Sequence, residues 1–175
     1  MDSFLLSQNF ETCESDCNSY MQKKQGFLLL VVLYVDDFLI TRSSIARLRN
    51  IKYALNKSFT MTDLGLLRQF IGLEVSQKTF GIMISQSRYS LDMLKRFHME
   101  DWKATPCPFL SGIRLEEGGS TPLVNNTLYR QLIGSLLYLT HSRPDISYVV
   151  SVAARYMQEP HELHWKATKR VLHYL

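Results

Sequence analysis

The stretch FLLLVVLYVDDFLITRS, residues 27–43, decides how the fold is predicted. Nine apolar or aromatic residues, Phe27 to Val35, run directly into two adjacent aspartates before the apolar pattern resumes. An ionised carboxylate buried without a partner is costly, and two adjacent carboxylates also repel each other. The aspartates must therefore be exposed, so the sequence predicts two strands joined by a turn, with Asp36 and Asp37 at the tip.

An acidic tip of this kind is suited to a hard divalent cation. Magnesium prefers oxygen ligands and often takes one or two protein carboxylates, with phosphates and water completing its shell. Adjacent side chains of an extended strand face opposite ways, so Asp36 and Asp37 can share one ion only where the chain turns. The alternative is a plain solvated turn, because Asp is a favoured turn residue.

The next segments alternate between helical and strand-like patterns. Apolar residues at helical spacing from Leu48 to Leu55 predict a helix ending near Lys57, with Ser43 and Ser44 as candidates for its N-cap. Strand-like runs follow at 70–75 and 81–85, and then a helix capped by Ser87. This order predicts an α+β fold.

The flanking regions differ from this centre. Residues 1–25 are polar and poorly periodic, and they allow a short helix at the very start. Residues 105–126 are rich in Pro, Gly, Ser and Asn, which is typical of a linker. Beyond it, apolar residues at helical spacing predict three helices, and these residues are Leu132, Ile133, Leu136 and Leu137, then Ile146, Val149, Ala153 and Tyr156, then Trp165, Thr168, Leu172 and Leu175.

The composition narrows the class of protein. The longest apolar run is about half of what a membrane span needs, so no membrane association is expected. Three cysteines and no signal-like start indicate free thiols and an intracellular protein of unspecified compartment. Cys13 and Cys17 could form half of a zinc site, but no further ligand pair lies nearby. The net charge of +4 permits binding to polyanions without requiring it.

Five ordered segments carry a resemblance to a known family. They are LYVDDFLITRS, FTMTDLGLLRQFIGLEV, GIMISQSRYSLDMLKRFHMEDWKATPCP, YRQLIGSLLYLTHSRPDISYVVSVAARYM and HWKATKRVLHYL. In this order they resemble the reverse transcriptases of copia-type retrotransposons, over nearly the whole chain. The resemblance implies an RNA-directed DNA polymerase, of which this sequence is the C-terminal part of the reverse transcriptase domain.

The implied fold is part of a polymerase palm carrying the YVDD β-hairpin, followed by thumb and helical connection segments. The implied divisions are 1–26 as a remnant of the upstream palm and fingers, 27–85 as partial palm, 86–104 as the start of the thumb, 105–126 as a linker, and 127–175 as the helical thumb and connection region.

The resemblance also implies roles for individual residues. Asp36 would be the main metal ligand and Asp37 the second catalytic carboxylate beside it. Tyr34 would lie near the primer end or the incoming nucleotide, with Val35 as the variable position of the motif.

Further contacts are implied outside the tip. The strand with Phe70, Gly72 and Leu73 would support the primer, and Lys95 and Arg96 would contact the phosphates of the nucleic acid. The implied cofactor is Mg²⁺, with Mn²⁺ as the other candidate, provided that the metal site is completed. The implied partners are an RNA or DNA template-primer and deoxynucleoside triphosphates.

One part of the family pattern does not match. Two-metal nucleotidyl transfer needs another carboxylate, which in this family lies well upstream of the hairpin. Asp2 and Asp16 sit in polar, non-strand surroundings and are not suitable candidates. We therefore expect the upstream palm and fingers and the ribonuclease H region to lie outside these residues and the isolated chain to be inactive. A noncatalytic relic, or a fragment that binds nucleic acid or a partner, is the alternative.

Two lesser patterns lie near the end of the sequence. HELH, residues 161–164, has histidines three apart and not four, so a solvated first helical turn is favoured over a zinc site. Lys166, Lys169 and Arg170 fall on one side of the last predicted helix. They could contact a phosphate backbone, although a basic helix face is more often simply solvated.

Overall fold

The computed structural model describes residues 1–24, 26–42, 45–109, 115 and 121–175, with the side chains of Lys24 and Arg42 left aside. It has a mixed α and β fold, which confirms the predicted fold class at that level. The chain divides into two compact units, Met1–Leu67 and Arg68–Leu175, and each is described by itself.

The first unit is an antiparallel sheet with helices at both ends of its sequence. In chain order it contains α1 (Asp2–Ser7), β1 (Glu11–Cys13), β2 (Asp16–Lys24), β3 (Phe27–Tyr34), β4 (Asp37–Arg42) and α2 (Ile45–Ser58). The strand order is β1-β2-β3-β4, with every neighbouring pair antiparallel. The proposed N-caps of α2, Ser43 and Ser44, lie outside the described residues.

The expectation that 1–25 would contain no strand is wrong. β2 is built largely from residues of weak β propensity, but it pairs with the strongly apolar β3 from Ser19↔Val32 to Lys24↔Phe27. Its inward-facing Tyr20 is buried against that strand. The pairing with β3 therefore outweighs the local sequence preference. The short helix at the start is present as α1.

One face of this sheet carries the core of the first unit. Leu29 and Val31 of β3 are buried together with Ile51 and Leu55 of α2 and with Leu5 of α1. The predicted face of α2 is thus confirmed at Ile51 and Leu55. Burying one such side chain contributes about 1.5–3 kcal/mol. The two helices therefore hold β3 in place from one side.

The second unit begins with a small sheet and continues as a helical bundle. It contains β5 (Gln69–Phe70), β6 (Leu73–Lys78), β7 (Gly81–Ser85), α3 (Ser87–Arg96), α4 (Asn126–Leu139), α5 (Ser147–Ala154) and α6 (Glu162–Tyr174). A 3₁₀ turn at Pro144–Ile146 leads into α5. The predicted cap at Ser87 is wrong, since Gln86 occupies that position and makes no capping bond through its side chain.

The three predicted C-terminal helices are confirmed, and they pack on one another. Leu132 and Leu136 of α4 are fully buried with Val150 of α5 and Val171 and Leu172 of α6. Tyr156, predicted on the second of these helices, lies just beyond the end of α5. Tyr129 of α4 is also buried, and its hydroxyl donates to the Ala153 carbonyl at 2.8 Å.

The division into compact units falls between Leu67 and Arg68, within the range 27–85 assigned above to partial palm. The proposed linker 105–126 lies partly outside the described residues, which omit 110–114 and 116–120. The proposed palm, thumb and connection boundaries therefore stay predictions. No helix in the described part of the chain is long and apolar enough to cross a membrane.

An ion pair beside the 3₁₀ turn makes the second unit sensitive to acid. The Arg143 guanidinium bonds both carboxylate oxygens of Asp145, Nε to Oδ1 at 2.9 Å and Nη2 to Oδ2 at 2.8 Å. These bonds lower the pKa of Asp145 from 3.8 to about 2. The unfolded chain therefore binds this proton more readily, so the pair stabilises the fold above pH 3.8 and is lost as the pH falls through about 2.

We predict that Asp145→Asn makes the free energy of unfolding less dependent on pH between about 2 and 4. At neutral pH the loss should stay below about 1 kcal/mol, because both side chains are more than a third exposed to solvent. Urea unfolding followed by circular dichroism across this range is the measurement. Asp92→Asn, on the exposed side of α3, serves as control, and equal slopes for the two variants would contradict the prediction.

Candidate active site

The acidic tip is formed by the shortest kind of hairpin connection. β3 and β4 pair from Leu29↔Arg42 to Tyr34↔Asp37, so Val35 and Asp36 alone form the loop. Asp37 is the first residue of β4, and both aspartates are exposed. Neither carboxylate has a hydrogen bond or an ion pair to another described residue. Both carboxylates are therefore exposed at the turn and accessible to a ligand.

The backbone at this turn is strained. Val35 has a φ of 53°, in the left-handed region that a β-branched residue rarely adopts. A two-residue turn with positive φ at its first position is normally filled by glycine. The cost of such a residue is about 1–3 kcal/mol, and it persists only where the surrounding structure enforces it. Here the paired strands on both sides of the turn enforce it.

The tip offers hard oxygen ligands, but few of them. Carboxylates of the kind supplied by Asp36 and Asp37 suit Mg²⁺ or Mn²⁺, with phosphates and water completing the shell. Within the described ranges, no group of three or more His, Cys, Asp or Glu side chains could hold a metal ion. The chemistry of these donors suits a divalent ion, but two carboxylates supply only part of its coordination shell.

A third carboxylate lies at the same end of the sheet. Because β2 is antiparallel to β3, its first residue, Asp16, lies next to the end of β3 that leads into the tip. The expectation that Asp16 sits in non-strand surroundings is thus wrong. Its carboxylate accepts bonds from the Ser19 hydroxyl at 2.6 Å and the Asn18 N–H at 3.0 Å, and these bonds lower its pKa. Asp16 is therefore engaged in its own turn.

The residues assigned to primer support belong to the second unit. Phe70 and Leu73 pair across a two-residue turn formed by Ile71 and Gly72, which have φ values of 47° and 74°. A side-chain carbon at position 72 would overlap the hydroxyl of Tyr138. The same hydroxyl donates to the Ile71 carbonyl. Gly72 is therefore required both by the backbone conformation and by the close approach of Tyr138.

Lys95 and Arg96 form the last turn of α3 and are exposed. Cations at this end of a helix complement its dipole, so their position has a local electrostatic reason as well as any role in binding. The structure places both of them in the second unit.

The expectation that the HELH segment is a solvated first helical turn is wrong. His161 and His164 are buried, and the His161 backbone N–H donates to His164 Nδ1 at 3.0 Å to close the first turn of α6. The Tyr156 ring stacks on His164 with centroids 3.9 Å apart. The spacing of the two histidines in the sequence gave no sign of this capping arrangement.

All three cysteines are free thiols, which confirms the prediction of free thiols from the sequence.

Comparison with known proteins identifies the family. Residues 1–111 match the family described as reverse transcriptase (RNA-dependent DNA polymerase). The chain belongs to the reverse transcriptase family. It is similar to the retrovirus-related Pol polyproteins from transposons RE2 and RE1 of Arabidopsis thaliana, with 35% identity to each over 99% of the chain. A third relative is the Pol polyprotein from transposon TNT 1-94 of Nicotiana tabacum, at 32% identity over 99% of the chain.

These relatives confirm the resemblance to copia-type reverse transcriptases. The chain spans 12% of the length of the RE2 and RE1 polyproteins and 14% of the TNT 1-94 polyprotein. No solved structure matches the chain. The reverse transcriptase match covers all of the first unit, including the acidic tip, and extends into the second unit through β5–β7 and α3.

We predict that Val35→Gly raises the free energy of unfolding of this reverse transcriptase chain by about 1 kcal/mol. Glycine removes the left-handed strain, and its greater entropy in the unfolded state offsets only part of that gain. Val35→Ala is the control and should change stability by less than about 0.5 kcal/mol, because it keeps a Cβ. Urea unfolding curves measure both, and destabilisation by Val35→Gly would show that the turn is not strained.

Proposed function

We propose that this chain supplies the metal-binding part of the palm in a copia-type reverse transcriptase, which catalyses RNA-directed DNA synthesis by two-metal nucleotidyl transfer. The observation that carries the proposal is the placement of Asp36 and Asp37, exposed together at the tip of a hairpin whose strand β3 is buried on one face. Membership of the reverse transcriptase family supports it.

In this proposal each residue of the tip has one task. Asp36, within the turn, is the main ligand of the divalent ions, and Asp37, at the start of β4, is the second. Bound Mg²⁺ or Mn²⁺ supplies Lewis-acid stabilisation of the phosphate transition state and of the leaving pyrophosphate. Tyr34, half exposed beside Asp37, and the fully displayed Val35 face the primer end or the incoming nucleotide.

The site needs a further carboxylate, and the free edge of the sheet is the place for it. β4 is the last strand in the order β1-β2-β3-β4, so one row of its backbone groups has no strand partner within the described residues. A strand added there would lie beside Asp37. We infer that another segment of the polyprotein supplies this carboxylate and that the 175-residue chain is inactive on its own.

The second unit would handle the nucleic acid. The turn at Ile71 and Gly72, fixed by Tyr138, supports the primer strand through the neighbouring Phe70 and Leu73. Lys95 and Arg96 contact phosphates from the end of α3.

The same proposal divides the whole chain. In this scheme residues 1–26 belong to the upstream palm and fingers, 27–85 to the palm, 86–104 to the start of the thumb, 105–126 to a linker and 127–175 to the thumb and connection.

Primer extension tests the proposal most sharply in a chimera. The matched stretch of the RE2 polyprotein is replaced by this chain, and extension of a DNA primer on an RNA template is measured with Mg²⁺, with unaltered RE2 as positive control. We predict that the chimera extends the primer and that Asp36→Asn lowers the rate by several orders of magnitude, since it removes a ligand of the metal.

Two controls complete this experiment. Glu14→Gln changes an exposed carboxylate at the same end of the sheet and should leave extension unchanged. The 175-residue chain alone should give no more product than its own Asp36→Asn variant. Equal extension by the chimera and its Asp36→Asn variant would reject the assigned role. A chimera without activity beside an active RE2 would instead favour a noncatalytic relic.

A further inference from the structure

A basic cleft lies in the second unit, on side chains that the proposed catalytic function does not use. It has a volume of about 320 Å³ and is lined by Lys103, Thr105, Lys166, Arg170 and His173. We call these five residues the basic cleft. Two of them come from the segment after α3, and the other three lie on α6.

The cleft is preformed by bonds between these two parts of the chain. The Thr105 N–H donates to the His173 carbonyl at 2.8 Å, and Arg170 Nε donates to the Cys107 carbonyl at 3.0 Å. His173 Nδ1 lies 3.3 Å from the Lys103 carbonyl. The segment is thus fastened along α6 near both ends of the cleft. A ligand would meet an arranged surface and would not have to order it.

The charge of the cleft is positive and weakly compensated. Among the described residues, its lining includes two lysines and an arginine but no acidic side chain. Within the part of the chain that the structure describes, Lys166 pairs with Glu162 across one helical turn at 3.4 Å, with both side chains about half exposed or more. Such an exposed pair contributes little to stability, so another anion can easily replace Glu162 beside Lys166. The cleft therefore favours a phosphate group.

An exposed indole adjoins this positive charge. The Trp102 side chain is 58% exposed, although Trp is usually well buried. Its Nε1–H donates to the His98 carbonyl at 3.1 Å, and its ring meets His173 edge-on with centroids 5.0 Å apart. The Lys169 ammonium lies over the ring, 5.9 Å from its centre. The ring is thus held in position with more than half of its surface open.

We propose that the basic cleft and Trp102 bind single-stranded nucleic acid. Backbone phosphates lie among Lys103, Lys166 and Arg170, and a neighbouring base stacks on the exposed part of the Trp102 ring. Positive grooves with adjoining aromatic rings bind single strands in this way, largely independently of sequence. Neither contact reads the 2′-hydroxyl, so RNA and DNA both fit. The site uses none of the residues of the acidic tip and needs no metal ion.

Fluorescence anisotropy with a labelled oligothymidylate of about 12 nucleotides, within the usual site size, tests this inference. The buffer contains EDTA, so that divalent ions at the tip cannot contribute. We predict that Lys166→Gln/Arg170→Gln weakens binding about 10-fold. It should also make the negative slope of log K against log salt shallower by about 1.4, for two lost phosphate contacts. Lys103→Gln/Lys166→Gln, which keeps the bond from Arg170 to Cys107, should act similarly.

A charge-matched control separates the cleft from general attraction. Lys57→Gln/Arg155→Gln also removes one lysine and one arginine, both exposed and outside the cleft, and should weaken binding less than about 2-fold. Trp102→Ala should weaken binding about 10-fold and abolish quenching of tryptophan fluorescence by the oligonucleotide. Thermal unfolding of each variant shows that the fold is retained.

Four results would overturn the inference. The first two are equal weakening of binding by the cleft and control variants, and unchanged binding by Trp102→Ala. The third is binding of a duplex of equal length as tightly as the single strand. The fourth is binding of polyglutamate as tightly as the oligonucleotide, with the cleft variant weakening both to the same extent. The single-stranded RNA counterpart should bind as the DNA does. Because the buffer contains EDTA, the assay does not depend on a metal ion at the tip, so failure of the catalytic proposal would leave this result intact.

Discussion

The structure of the first unit depends on one constraint, which is that two adjacent carboxylates must stay in water while the strands that carry them are anchored. Leu29 and Val31 provide the anchor, because they bury one face of β3 against α1 and α2. Each such side chain contributes about 1.5–3 kcal/mol. The apolar run before Asp36 and Asp37 is therefore what fixes their position at the exposed tip.

The same anchoring explains a strained turn at an exposed site. A valine in the left-handed region would ordinarily relax to another conformation. Because β3 and β4 remain paired up to Tyr34 and Asp37, the two residues between them have little freedom to do so. The pairing of β3 and β4 thus fixes the direction of the tip in spite of the strain at Val35. A metal site requires rigidly placed ligands, because ligands that are loosely held by their surroundings do not keep the required coordination geometry.

Sequence reasoning was reliable where local pattern and tertiary environment agree. β3 and β4 were predicted because Leu, Val, Tyr, Phe and Ile dominate them. α2 and the helices of the second unit were predicted because their apolar residues recur at helical spacing. β1 and β2 were missed because polar β2 becomes a strand only through pairing with β3. Nothing in the residues 16–24 themselves carries that information.

Contacts between distant parts of the chain were beyond the sequence for the same reason. The closeness of Gly72 to Tyr138 joins positions 66 residues apart, and no local spacing predicts it. The basic side of α6 was visible at Lys166 and Arg170, but Lys103 and Trp102 were not connected with it. What turned a basic helix face into a cleft was the bond from Thr105 to His173. The family, by contrast, was evident from five ordered segments.

The central claim is that Asp36 and Asp37 together bind a divalent ion at the hairpin tip. Paramagnetic broadening of backbone amide signals by Mn²⁺ in the ¹⁵N-labelled chain tests it directly, without requiring catalysis or another segment. The account predicts that the amides of Tyr34 to Phe38 broaden at the lowest Mn²⁺ concentrations and that Asp36→Asn/Asp37→Asn removes the effect. Broadening that begins elsewhere, or that persists at the tip in this variant, would contradict it.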